Sequence, residues 1–200
     1  MSYNTPTARL IDALGRAITS TPAPVGLRRR LALCLERSAS NADQPPGEAA
    51  RFARPPVCDC LAKALEVARE VSGPIRELAD AIAALDPQIV WRRRDPGRGD
   101  DPAFADGHAN AFLVGDGWPA IGDDVVIGAS LLASNITYPR HRHPPEELYI
   151  VLSGGEWYRE SRGWYAPGAG AHVHHEPGVV HAMRSGDEPL IALWCLWRDQ

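Results

Sequence analysis

From Ala109 onward the apolar residues come in short β-prone runs, and this punctuation constrains the fold more than any other feature of the chain. The runs are Ala111–Val114, Val125–Leu132, Leu148–Leu152, Trp157–Arg159, His172–His174, Val179–Met183 and Leu190–Trp197. Between them stand Gly115-Asp116-Gly117, Gly122-Asp123-Asp124, Ser153-Gly154-Gly155, Pro167-Gly168, Pro177-Gly178 and Ser185-Gly186-Asp187. These residues reverse a chain because Gly tolerates positive φ, Pro fixes φ and Asp caps turns. Strands this short and this regularly spaced join antiparallel and close into a sandwich or barrel.

The first half has a different period. Leu10, Ile11, Leu14, Ala17 and Ile18 recur at three and four, after a Thr5-Pro6 start; Leu27, Leu31, Cys34 and Leu35 repeat the pattern. A third helix is expected from about Asp59 to Val71, and a fourth from Ser72-Gly73-Pro74 through Leu85 to a stop at Asp86-Pro87. Such short amphipathic helices are marginal alone and need a surface to cover. We therefore expect a helical N-terminal region, 1–107, packed on a β-barrel, 108–200, with Arg92 to Gly107 as a polar connection.

Charge narrows the partners. The formal net charge is −4, which disfavours nucleic acid and anionic membrane, and the runs Arg28-Arg29-Arg30 and Arg92-Arg93-Arg94 read as solvated faces. No secretory leader, membrane span or CxxC pair is visible, and the four cysteines read as free thiols of a soluble cytoplasmic protein. All seven histidines follow residue 107, together with 11 of the 25 acidic residues and only 6 of the 21 basic ones. That half favours a cation.

The chemistry concentrates in Tyr138-Pro-Arg-His141-Arg-His143-Pro-Pro-Glu-Glu147-Leu-Tyr149. On an extended strand His141 and His143 share a face; Pro144-Pro145 forces a turn, and Glu147 and Tyr149 return together on the next strand. His181, after Pro177-Gly178, is the best-placed later histidine. Two imidazoles and a carboxylate suit one divalent transition metal, Zn2+, Fe2+, Mn2+, Co2+ or Ni2+, and a metal would account for an inward-facing Glu147. His172, His174 and His175 read as structural, His108 as a solvated loop residue, and Trp194 and Trp197 as barrel core.

His141-x-His143-xxx-Glu147-xxxxxx-Gly154 and Gly170 to Gly178 to His181 resemble the two motifs of the cupins, double-stranded β-helix (jelly-roll) barrels. Glu176 stands where that family has proline, Ser185 where it has asparagine and Asn135 where it has glycine. The Tyr138, His141, His143, Glu147, Tyr149 and His181 pattern, in YPRHRHPPEELYIVLSGGEW, is similar to that of the cupin-type dimethylsulfoniopropionate (DMSP) lyases, which also carry a helical extension. The resemblance implies metal-dependent β-elimination of DMSP, a zwitterionic sulfonium carboxylate, to dimethyl sulfide and acrylate. It implies His143, Glu147 and His181 as metal ligands, with Tyr149 at the metal and acting as base, and Tyr138 as a second active-site phenol. His141 is left as ligand or substrate-side group.

A free phenol titrates near 10, so a tyrosine base needs a cation beside it. The sulfonium calls for π-faces, with Tyr138, Trp157, Tyr158, Trp164, Tyr165, Trp194 and Trp197 as candidates. Two other readings stand beside this one: a metal cupin dioxygenase or isomerase acting on another small carboxylate, and a binding cupin without turnover.

Overall fold

The computed structural model describes residues 5–19, 24–39, 53–94, 97, 100–114 and 125–197. The expected turns at 115–117 and 122–124 lie outside them. Four amphipathic helices come first: α1 (Pro6–Thr19), α2 (Val25–Ala39), α3 (Leu61–Glu70), entered through a 3-10 turn at Pro56–Cys60, and α4 (Pro74–Leu85). Proline in the first turn starts α4, where its missing N–H leaves no helical bond unmade.

Among the described residues ten strands follow: β1 (Trp91–Arg92), β2 (His108–Val114), β3 (Val125–Leu132), β4 (Thr137–His141), β5 (Glu146–Val151), β6 (Glu156–Arg159), β7 (Gly163–Tyr165), β8 (His172–His175), β9 (His181–Arg184) and β10 (Leu190–Trp197). They form a six-stranded sheet, β1-β2-β3-β10-β5-β8, and a four-stranded sheet, β4-β9-β6-β7, with antiparallel pairing throughout. This is a cupin barrel preceded by helices.

Three layers explain why β3 and β10 read as almost unbroken apolar runs. Ile127, Ala129, Leu131, Ile191, Leu193, Cys195 and Trp197 pack in one cluster with Leu10, Leu14, Leu31, Leu78 and Ile82 of the helices. The alternate residues Val126, Leu132, Leu190, Ala192 and Trp194 enter the space between the sheets with Tyr138, Tyr149, Trp157 and Met183. A strand buried on both faces loses the polar half of its alternation. Each large side chain enclosed this way contributes roughly 1.5–3 kcal/mol, which is how the helices and sheet hold each other.

The polar connection expected at Arg92 to Gly107 is more ordered than the sequence suggested. Trp91 and Arg92 pair with Ala111 and Asn110, so the sheet begins before residue 108. A short helix, α5 (Pro102–Gly107), is capped by the Asp101 side chain, which accepts from Ala103 N at 2.9 Å, and it buries Phe104. Charged neighbours masked these elements. Where the cupin pattern has glycine, Asn135 takes φ 59°, and Ser185 Oγ accepts from Ile136 N at 2.9 Å and donates to Ala133 O at 2.5 Å. Two of the three departures from the family pattern thus meet at one turn, where Ser185 holds the backbone on either side of Asn135.

Candidate active site

Strand register brings the site residues onto two facing rows. In the small sheet His141 pairs with His181, and His181 with Arg159. In the large sheet Leu196 pairs with Glu147, and Glu147 with His175. Directly opposed residues of antiparallel strands project to the same side, so both rows look into the barrel.

The alternation that serves His141 and His143 cannot serve Tyr138, three residues earlier. A register shift between Tyr138 and His141 supplies the extra residue: Tyr138 faces Met183 while His141 faces His181. Bulges of this kind re-aim side chains beside active sites, and this one turns both Tyr138 and His141 inward.

One ring nitrogen each from His141, His143 and His181 lie within 4.8 Å of one another. The buried Glu147 carboxylate completes the group, with Oε2 at 3.0 Å from His181 Nε2 and 3.4 Å from His143 Nε2. In each of the three histidines Nδ1 meets a backbone carbonyl two residues away, Pro139, Pro145 or Val179, at 2.9 Å. An Nδ1–H donated there leaves Nε2 as a bare lone pair, the form that ligates metal. Gly178, with φ 75°, donates its N–H to His143 O at 2.9 Å and so ties the β8–β9 turn to the same residues.

His181 Nε2 and Glu147 Oε2 have no hydrogen-bond partner although both are buried. Lone pairs facing each other at 3.0 Å need a positive charge between them, either a proton or a metal ion. Three imidazole nitrogens and a carboxylate oxygen are the donors a divalent transition ion prefers. Burial, reinforced by His181, lowers His141 to about 4 and keeps it neutral. Burial would raise Glu147, but His143 and His181 outweigh it and hold the carboxyl at about 2.

Tyr149 is buried against this group, and burial and the adjoining Glu147 carboxylate push its phenol well above the ordinary value. Tyr138 is raised by burial and contacts His141, with ring centroids 5.0 Å apart. Ser130 Oγ donates to Asn110 Oδ1 at 2.7 Å, which turns the Asn110 amide N–H2 toward the Tyr138 hydroxyl.

The adjoining rows are aromatic: Tyr138, Met183, Trp157 and Tyr165 in one sheet, and Phe112, Gly128, Trp194, Tyr149 and Val173 in the other. This sorts the candidates for a π-lined wall. Trp157, Tyr165, Trp194 and Tyr138 line the interior, and Trp197 packs against the helices. Tyr158 and Trp164 alternate to the outer face, under Arg140 and Arg184 respectively.

Several lesser expectations change. His108 is not a solvated loop residue: it is fully buried, stacks on Phe104 at 3.7 Å, donates to Phe104 O and accepts from Arg94 N. Arg94 is not merely a solvated charge, since it pairs with Asp100 at 2.8 Å and lies over the Tyr138 ring. His174, read as structural, pairs with Glu146 at 2.6 Å. His175 projects to the opposite side of its strand, into the barrel, where it stacks on His181 at 4.3 Å. Its burial was invisible in the sequence, because the interior face of β8 is defined only by pairing with Glu147.

The class is a cupin barrel in which three clustered histidines could hold a metal ion. Residues 29–192 match the family model described as dimethylsulfoniopropionate lyase. The chain belongs to the DMSP lyase family. It is similar to the DMSP lyase DddQ of Ruegeria pomeroyi, 34% identical over 122 residues, which are 60% of each chain. The match to the putative DMSP lyase DddL of Cereibacter sphaeroides is 28% over 173 residues, 86% of this chain and 68% of that one. The chain thus spans about three fifths to two thirds of these relatives' own length.

Among solved structures, one reported with the DMSP lyases RdDddP and RnDddQII superposes with TM-score 0.73 over 97% of this chain and 92% of its own; at 22% identity it speaks for the fold. The Ruegeria pomeroyi DddQ crystal structure gives TM-score 0.64 at 27% identity, over 78% of this chain and 76% of its own.

Proposed function

We propose that the protein is a metal-dependent DMSP lyase that eliminates dimethyl sulfide from DMSP, with Tyr149 as the base. The observation that carries this reading is the convergence of three imidazoles and an unpartnered Glu147 carboxylate beside a buried phenol. His143, Glu147 and His181 hold the ion, and His141 adds a fourth donor from the same cluster. A divalent cation there supplies a Lewis acid for the substrate carboxylate and a positive charge beside the phenol.

The remaining steps belong to the chain. Tyr149 acts as the phenolate, which a cation beside it would stabilise, and takes a proton from the carbon next to the carboxylate to become the phenol. The released electron pair forms the carbon–carbon double bond while the carbon–sulfur bond breaks. Dimethyl sulfide departs neutral, acrylate remains, and the phenol returns its proton to solvent. The interior aromatics, Trp157, Trp194, Tyr165 and Tyr138, offer the sulfonium π-faces and exclude water from it.

The test is release of dimethyl sulfide into the headspace from DMSP and purified protein under each of the five metals, with and without oxygen. Tyr149→Phe is expected to retain metal and lose elimination by several orders of magnitude. Full activity in that variant removes Tyr149 as base, and a product that requires oxygen replaces the lyase reading with a dioxygenase.

A further inference from the structure

Arg159 is a cation on the wrong side of its strand for a surface residue. It opposes His181 directly, two positions after the interior Trp157, so its side chain leaves the backbone toward the barrel. Only 28% of that side chain is exposed, and its one partner among the described residues is the Glu176 carboxylate, itself 53% exposed. An ion pair so open to water adds little stability. Arg159 therefore has no evident structural reason to stand in the row of His141 and His181.

The chemistry of the proposed substrate supplies one, and the inference rests on that reading. We propose that Arg159 is a specificity-determining residue that receives the substrate carboxylate on the oxygen the metal would leave free, and that Glu176 holds its place in the resting protein. A guanidinium presents a fork that matches a carboxylate. The same charge repels a sulfonium, so a zwitterion approaching this row turns its cationic end toward the aromatic row behind it. Arg159 thereby reads both ends of the molecule. Glu176 sits on the turn between β8 and β9, next to the interior His175, and presents to Arg159 the group the substrate would bring. Its exposure lets it yield to an incoming acid.

The experiment compares Arg159→Gln, Arg159→Lys and Glu176→Gln with the parent, all loaded with metal. DMSP turnover and calorimetric titration with acrylate, the product acid, are the two readouts. Arg159→Gln is expected to raise KM for DMSP and Kd for acrylate together by about 10- to 100-fold, the usual weight of a charge-assisted hydrogen bond, with kcat much less affected. Arg159→Lys recovers part of the loss, because charge remains and the fork does not. Glu176→Gln lowers both constants several-fold. Metal content and melting temperature of the three variants stay near those of the parent.

Parental KM and acrylate affinity in Arg159→Gln overturn the proposal, as does weaker acrylate binding in Glu176→Gln. If the parent releases no dimethyl sulfide, the lyase reading fails, and the acrylate titration still decides whether Arg159 receives a carboxylate.

Discussion

Gly128 is a position where fold and site meet in one atom. On β3 it lies between Phe112 and Trp194, whose rings meet edge to face above it with centroids 5.6 Å apart. A Cβ built there stands 2.1 Å from Trp194 Cζ2 and 2.4 Å from the Ala111 carbonyl oxygen, where ordinary contact begins at 3.4 Å. The carbonyl belongs to the paired strand β2 and has little room to give, so the indole must retreat by more than an ångström. Its neighbour across β10 and β5 is Tyr149.

Overpacking of this size costs roughly 1–3 kcal/mol. In a chain of this length each kcal/mol lowers the melting temperature by about 2–4 °C, so Gly128→Ala is expected to melt some 2–12 °C below the parent. It should also raise KM for DMSP, since the displaced ring crowds the aromatic row. Gly154→Ala is the control, for a Cβ there meets nothing within 4 Å. Thermal melts followed by circular dichroism, with headspace kinetics on the same samples, decide the matter. A Gly128→Ala protein that melts with the control and turns over like the parent refutes the placement of Trp194 against the β3 backbone.

Two further outcomes follow from the site. His143→Ala and His181→Ala should each lose metal and activity together, and His141→Ala should weaken metal retention as well; elemental analysis after dialysis against chelator checks this, and full retention in His141→Ala removes it from the ligand set. Acid should destabilise the metal-free protein: burial lowers His175 to about 3 and His141 to about 4, from 6.5 in the unfolded chain, so their contribution is whole above pH 6.5 and lost as pH falls toward 3. His143, raised chiefly by its bond to Glu147, acts in the opposite sense, and Glu147 fades only between pH 4.5 and about 2. Melts in chelator from pH 7 to 4 should therefore fall, and His175→Leu should flatten the slope by about one proton; an unchanged slope counts against the burial of a neutral His175.

What was legible in the sequence was what spacing alone controls. Turn residues marked most strands and periodicity marked the helices, because each is a local property. The pattern from Tyr138 to Tyr149 announced the site because its residue types are costly to bury without a purpose. What stayed hidden depended on pairing between distant strands. The bulge between Tyr138 and His141 leaves no mark in the sequence, yet without it one of the two would face outward. Arg159 reads as an ordinary charge at the end of a strand until its register with His181 is known. His175 and the ordered stretch around α5 were concealed in the same way, by a histidine-rich run and by surrounding charges.

The helices lie over one face of the six-stranded sheet, and their apolar residues share a single cluster with it. A barrel cut free at its first strand would present Leu131, Ile191, Leu193 and Trp197 to water and stick to its neighbours. Whoever shortens the chain in search of a minimal catalyst should keep the helical roof, since it is insulation for the wall that carries Glu147 and Tyr149.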